Sequence, residues 1–476
     1  MIRDARSTRR GGRALMPALI GLLSLAGVSC RSLDQAGVAP VVDAPTRWSA
    51  SAVDGEVERD WWKSFNSEQL NELIGEALEQ NRDLRVAAVR VEAAAAQVRI
   101  AGADLTPTVN ASLGAQRDKR NFVGFPLPGG GGNVLTTHSS THNLGLVANW
   151  ELDLWGRIRA GKRAAQQDFE ATLTDLRGAR LSLAAQTAGS WIAVVEARQQ
   201  LEIARVTIES HRSTEGQVRR RYEEGLRSSL DLRLASASVA SAESLFEERR
   251  IALETAVRRL EILLGRYPEG ELASAAALPD LPAPVPAGLP AGLLARRPDL
   301  AAARQRLFAA DSRIKQARAA LLPRISLTAQ GGTTTSEFSD LLSSDFTVWT
   351  LAGNLAQPIL DGGRLRAGVQ LADARARLAA AEYQSAAYRA FSDVETALAT
   401  EEILARREVR VQTAKGLSQA AHDLARRRYS EGLESFATVL ETQRRTLETS
   451  SQLTSVRRRR LENRVQLHLA LGGGFS

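Results

Sequence analysis

Apolar residues along this chain follow two periods, and each period occurs twice. Between 158 and 223, Leu173, Leu176, Leu183, Val194, Ala197, Leu201, Ala204 and Ile208 advance mostly in helical steps. That spacing is the seam of a coiled coil, with small residues allowing close approach. No proline interrupts this stretch or a second one at 365–430. Each predicts one unbroken helix of roughly 65 residues, about 100 Å long at 1.5 Å per residue. Such a helix needs partners along its whole length. Shorter helices are predicted at about 81–104, 228–264, 297–321 and 435–471. The first and third stop ahead of Pro107 and Pro323, which cannot continue them.

The other period is two. Val109, Ala111, Leu113 and Ala115 alternate with Thr108, Asn110 and Ser112, and Leu144, Leu146, Ala148, Trp150 and Leu152 alternate in the same way. Strands are predicted at about 107–116, 143–153, 323–332 and 346–357. About ten alternating residues suit a tilted strand crossing a bilayer, and equally one face of a small soluble sheet.

These elements recur because the chain is written twice. Arg219-Arg220-Arg221-Tyr222-Glu223-Glu224-Gly225-Leu226 returns 207 residues later as Arg426-Arg427-Arg428-Tyr429-Ser430-Glu431-Gly432-Leu433, with one mismatch. The same shift maps Ala160-Gly161 onto Ala367-Gly368 and Leu264-Gly265 onto Leu471-Gly472. Upstream the shift is 216, carrying Asp83-Leu84 onto Asp299-Leu300 and Pro107 onto Pro323; the first copy has the longer loop. By length, 228–264 and 297–321 together match 158–223, so each long helix is expected to pair with two shorter helices stacked end to end. In the other copy the stack is expected to be 435–471 on 81–104. Residues 266–298 hold seven of the fifteen prolines and read as an irregular belt halfway along.

The expected fold is mainly α with a β-barrel contribution: a long antiparallel coiled-coil helical cylinder plus four transmembrane strands per chain. Four strands cannot close a barrel, and lipid tolerates no open sheet edge. Three chains would supply twelve. The expected division is a signal peptide at 1–29, a lipidated segment at 30–66, a first repeat at 67–265, a Pro-rich equatorial linker at 266–296 and a second repeat at 297–476.

The N-terminus supports export. Five arginines precede an apolar run from Ala14 to Val28, the layout of a secretory signal. Cys30 is the only cysteine and follows Gly27-Val28-Ser29, which resembles a lipoprotein signal; disulfides are excluded. Arg31 follows it, not the Asp that resembles an inner-membrane retention signal. No later segment has 18 consecutive apolar residues, so no helical membrane span is expected. The formal charge of +8 falls to +4 without residues 1–29, with basic and acidic residues interspersed. Nucleic acid is therefore not an expected partner.

With these pieces in place, the sequence resembles the TolC-like outer-membrane factor family, and more narrowly its lipidated, OprM-like efflux branch. The resemblance lies in Asp60-Trp61-Trp62-Lys63-Ser64-Phe65, in Leu70, Leu73, Ala77, Leu78, Asn81, Asp83 and Leu84, and in Leu152-Asp153-Leu154-Trp155-Gly156-Arg157. The paired Tyr-x-x-Gly turns and the terminal Leu471-Gly472-Gly473-Gly474 extend it over residues 60–474. It implies a homotrimer with a twelve-stranded barrel in the outer membrane and a periplasmic helical cylinder, receiving substrates from an inner-membrane pump through an adaptor. It also implies that the turns at Tyr222, Gly225, Leu226 and Tyr429, Gly432, Leu433 dock the adaptor. Thr438 and Glu441, nine and twelve positions after Tyr429, would line the periplasmic aperture. Asp231 is the first-repeat counterpart of Thr438. Arg227 and Glu434 stand at matched positions with opposite charge and are expected to pair, holding the aperture shut.

Trp150, Trp155 and Trp349 are expected near strand ends, as an aromatic girdle or as core. His138 and His142 are expected in a Gly/Ser/Thr loop without further metal ligands. No catalytic constellation, metal site or cofactor is expected. The leading expectation is a passive duct for small molecules. The alternatives are a conduit for polypeptide secretion and a periplasmic coiled-coil scaffold without a pore.

Overall fold

The computed structural model describes residues 42–50, 55, 60–122, 135–273, 275 and 277–473. A 3-10 turn at Trp61–Phe65 leads to α1 (Glu68–Gln80) and α2 (Arg82–Ala103), then β1 (Thr108–Phe122) and β2 (Leu135–Leu152). The long α3 (Arg157–Glu223) and α4 (Ser229–Leu263) complete the first copy. The second copy runs α5 (Pro290–Arg296), α6 (Pro298–Ala319), β3 (Arg324–Thr335), β4 (Thr347–Ala356), α7 (Arg364–Ser430) and α8 (Phe436–Ala470). The predicted short and long helices fall within about two residues of these bounds. The belt contains one short helix, α5, that the proline-rich composition did not predict.

Each long helix starts from a carboxylate that meets its free amides. Asp153 accepts from the Ile158 and Arg159 amides at 2.9 and 2.8 Å, and Asp361 from those of Gly363 and Leu365 at 3.0 and 2.9 Å. Both helices run 67 residues.

The stacking differs from the expected one. Asn81 Nδ2 donates to the Leu263 carbonyl at 2.9 Å, so α4 ends where α2 begins. One repeat later Arg297 Nη1 donates to the Ala470 carbonyl at 3.1 Å, so α8 ends where α6 begins. The stacks are therefore α4 on α2 and α8 on α6, each within its own copy. The length sum could not distinguish partners of equal length. The α2/α4 stack packs on α3, α3 packs on the α6/α8 stack, and that stack packs on α7. Within the chain α2 lies against α3 instead of α7, which leaves the far side of α7 unmatched. Leu371, Leu378, Leu417 and Leu424 are exposed along α7, as are Val86, Val89 and Ile100 on α2 and Ile251 on α4.

Two apolar clusters hold the joints, and they are repeats of one another. Leu84, Leu260 and Leu264 belong to the first, and their counterparts Leu300, Leu467 and Leu471 to the second. The belt residues Leu272, Leu278 and Leu281 cover the first, while Val285 and Ala287 enter the second. His468 is buried in this region, stacked on the fully buried Trp61 at 4.9 Å. Burial, with Arg464 nearby, pushes its imidazole down to about 3. The unfolded chain binds a proton near pH 6.5 that the folded chain refuses until about pH 3. Stability is therefore lost as pH falls below about 6.5, by about 1.4 kcal/mol per unit from this group. His468→Phe keeps the stack and removes the titration. Its thermal midpoint should fall less than that of the wild type between pH 7 and pH 5; equal falls would refute the assignment.

The four strands form one antiparallel sheet in the order β1-β2-β3-β4. The unbroken register puts all four alternations in phase. Leu113 pairs with Leu144, Leu327 with Trp150, and Ile325 with both Leu152 and Leu355, on one apolar face. The opposite face carries Asn110, Asn149, Thr328, Gln330 and Thr350, with Thr328 Oγ1 donating to Asn149 Oδ1 at 3.0 Å. The first hairpin runs further than its apolar alternation, because the ladder continues through polar pairs as far as Phe122↔Leu135. His138 and His142 consequently lie on β2 and not in a loop, both on the apolar-side phase. Trp150 and Trp349 occupy the apolar face near its two ends, and Trp150 Nε1 donates to the Leu105 carbonyl at 3.1 Å. Trp155 ties the strand exit to the base of β3 through the Pro323 carbonyl at 2.7 Å.

Candidate functional site

The two helical hairpins turn at the ends of α3 and α7, and both turns are built alike. Gly225 has φ 75° and Gly432 φ 81°, the left-handed conformation that glycine adopts without a Cβ penalty. The Leu226 amide then bonds the Arg221 carbonyl at 2.8 Å, and Leu433 bonds Arg428 at 2.9 Å. Ser228 and Ser435 cap the returning helices by accepting from the Asp231 and Thr438 amides. Leu226 and Leu433 are left 67% and 65% exposed at the two tips.

The tyrosines are where the copies part. Tyr222 is 42% exposed, whereas Tyr429 is 6% exposed and packs on Phe436, with ring centroids 5.5 Å apart. Position 229, the counterpart of Phe436, is a serine, so Tyr222 has no ring to close over it. Val218 of α3 and Ala235 of α4 complete the cluster around Tyr429, joining the two hairpins.

Two arginines of the first copy clamp this cluster from outside. Arg227 lies 4.3 Å over the Tyr429 ring and donates to the Tyr429 carbonyl at 3.2 Å. Arg221 donates to the Tyr429 and Ser430 carbonyls at 3.4 and 3.0 Å. Those carbonyls form the C-terminal, negative end of the α7 dipole, where a cation is favoured. The expected Arg227–Glu434 pair is accordingly not formed in this chain. Glu434 is satisfied locally: its Oε1 accepts from the Ser435 amide at 3.1 Å and the Thr438 hydroxyl at 3.0 Å, and Arg428 stands 3.9 Å away. The Ser435 amide, the Thr438 hydroxyl and Arg428 together hold its carboxyl below the usual range. Arg221 was not singled out in the sequence, because nothing in the run Arg219-Arg220-Arg221 marks one guanidinium as the one that crosses.

Glu441 lies a turn further along α8 and faces its own helix's cations, Arg444 at 3.1 Å and Arg445 at 2.7 Å. Hydrogen bonds from these two hold the carboxyl down at about 2. Thr438 lies in the capped first turn of α8 and Asp231 in that of α4. The structure thus joins Arg227 and Tyr429 across the hairpins, pairs Glu434 with Thr438 within the second hairpin, and leaves Glu441 to Arg444 and Arg445 further along α8. Cys30 lies outside the described residues. Among those residues, no group of three or more His, Cys, Asp or Glu side chains could hold a metal ion, and no helix is long and apolar enough to cross a membrane.

A family model described as outer membrane efflux protein matches residues 73–266 and 289–473. The pyoverdine export outer membrane protein OpmQ of Pseudomonas putida is 34% identical over 470 residues, covering 95% of this chain and 96% of that protein. The toluene efflux pump outer membrane protein TtgF of Pseudomonas putida is 33% identical, with 88% and 86% covered. Among solved structures, a membrane protein from Pseudomonas aeruginosa superposes with a TM-score of 0.81 at 33% identity, covering 91% of this chain and 98% of that one. The open state of the MtrE outer membrane channel of Neisseria gonorrhoeae gives 0.79 at 28% identity, with 92% and 97% covered.

Proposed function

The chain belongs to the outer membrane efflux protein family, and from that premise we propose that three copies close one duct and that the hairpin tips form its periplasmic aperture. The protein is an outer-membrane efflux channel of TolC-like fold. What carries the trimer is the sheet: its apolar and polar faces are in phase across all four strands, while β1 and β4 remain unpaired at its edges. An apolar face towards lipid with a polar face towards a lumen is the barrel arrangement, and it must be closed. Three chains give twelve strands and, by the same symmetry, place the open side of α7 against the α2/α4 stack of the next copy. The driving force for transport then lies in an inner-membrane pump, reached through an adaptor that docks on the exposed Leu226 and Leu433, and Cys30 carries the lipid anchor. The test is fractionation with the outer membrane as a heat-resistant trimer, together with conductance in planar bilayers. A monomer that stays water-soluble after its acyl chains are removed would sink the reading.

At the aperture Glu441 neutralises Arg444 and Arg445 in place of presenting a bare carboxylate ring. Because its carboxyl titrates at about 2, it contributes no step to the conductance between pH 7 and pH 4. Glu441→Gln leaves Arg445 without its carboxylate, and Arg444 with only Glu448, 3.6 Å away, so positive charge is gained near the axis. The reversal potential should move towards anion preference; an unchanged potential would remove Glu441 from the aperture.

A further inference from the structure

The β1–β2 hairpin changes chemistry above its apolar band while keeping its alternation. On the face that carries Leu113 and Leu144, the later side chains are Arg117 and Lys119 on β1, with Lys119 paired to His138 of β2. At a rise of about 3.3 Å per residue, the two cations stand about 7 and 13 Å along the strand beyond Ala115. The carboxylate of this stretch, Asp118, falls on the opposite face, where Gln116 Nε2 donates to both its oxygens at 3.0 and 2.9 Å. Arg117 and Lys119 are exposed, and among the described residues no side chain neutralises either.

The topology says which end of the sheet this is. α2 feeds β1 and β2 feeds α3, so the helices share one end of the sheet, and Phe122 and Leu135 lie at the other. With the helices in the periplasm, Arg117 and Lys119 stand at the outer leaflet. We propose that this rim is a docking surface for the phosphate groups of the outer-leaflet glycolipid, lipopolysaccharide, one site per protomer. The inference rests on the membrane reading above and adds a lipid partner to it. A membrane-embedded amphiphile fits better than a soluble anion because the site is continuous with lipid-facing apolar surface. Acyl chains lie along Leu113 and Leu144 while the phosphates meet Arg117 and Lys119. A free phosphate would find two exposed side chains and no enclosure. Charges of this kind at a membrane surface act strongly enough for two to matter.

The experiment titrates the purified trimer in detergent with lipopolysaccharide and with its dephosphorylated form. The comparison includes Arg117→Gln/Lys119→Gln and, as a lumen-face control, Arg120→Gln. The double variant should bind lipopolysaccharide roughly tenfold more weakly, as should wild type towards the dephosphorylated form. Arg120→Gln should bind as wild type does, and excess inorganic phosphate should not displace the lipid. Equal binding by the double variant and wild type overturns the proposal, as does ready displacement by inorganic phosphate. Conductance in bilayers of phospholipid alone is measured on the same preparations. Channels there without a lipopolysaccharide effect remove the docking surface and leave the barrel standing. Absence of channels from every preparation removes the barrel reading itself.

Discussion

Replacing Arg221 and Arg227 together by glutamine is expected to raise the mean conductance of the reconstituted protein severalfold, by releasing the first-copy hairpin from the second. In each protomer the two guanidinium groups supply three hydrogen bonds to carbonyls at the end of α7 and cover the Tyr429 ring. A partly exposed cation–π contact is worth about 1 kcal/mol and the carbonyl bonds about as much again after solvent screening. That is about 2 kcal/mol per protomer and about 6 kcal/mol for the proposed three-fold aperture opening in concert. A shift of that size changes a closed-to-open ratio by a factor of order 10⁴. The control is Arg428→Gln, the repeat counterpart of Arg221, whose contact is a 3.9 Å approach to Glu434. It should conduct nearly as wild type does. Tyr429→Phe should also stay closed, because the buried phenol oxygen has no hydrogen-bond partner to lose. A double variant indistinguishable from wild type would falsify the clamp.

The clamp also marks how far the sequence could be read. Six helices were legible almost to the residue, because long proline-free runs and repeated glycines leave few alternatives, whereas the short α1 and α5 carried no such signal. The alternation of β1 and β2 was legible because a period of two puts successive residues on opposite faces, whereas the register that brings β3 and β4 into phase with them was not. What could not be read was which copy touches which. The two pairs of short helices have equal lengths, so arithmetic allowed α4 to stack on α6, whereas Asn81 and Arg297 bind each stack within its own copy. At the tips, opposite charges at 227 and 434 predicted an ion pair. Charge in sequence says nothing about competing partners, and a helix C-terminus with a ring beside it took Arg227. The signal that could have found this was Phe436 opposite Ser229, an aromatic added to one copy only. His138 and His142 were misplaced in a loop because polar residues can continue a ladder after apolar alternation ends.

Four left-handed glycines at matched positions should respond to alanine very unequally, with Gly265→Ala by far the most damaging. Gly225 and Gly432, at the tips, have φ of 75° and 81° and nothing within 4 Å of an added Cβ. Alanine there meets only the left-handed penalty, about 1 kcal/mol. At Gly265, φ 76°, the new Cβ would stand 2.5 Å from the Gln80 carbonyl oxygen and 3.0 Å from its carbon. Those are backbone atoms at the α1–α2 junction and cannot swing aside. Retreat of α4 would strain the Asn81–Leu263 bond, and through Asn81 the cap on Leu84, whose amide bonds Asn81 Oδ1 at 2.9 Å. Loss of a cap and a buried contact added to the backbone penalty brings the cost to roughly 3 kcal/mol or more. At Gly472, φ 89°, an added Cβ would stand 3.1 Å from the Arg296 carbonyl oxygen, so this variant should fall between the two. The heat resistance of the purified trimer reads the order directly: Gly265→Ala lowest, Gly472→Ala next, the tip variants close to wild type. If Gly265→Ala and Gly225→Ala dissociate at the same temperature, the equatorial joint is not the rigid hinge point between the two helical tiers. The two tip glycines can bear alanine at little cost because nothing lies within 4 Å of the added Cβ, and the exposed Leu226 and Leu433 beside them stay free to serve as a contact surface.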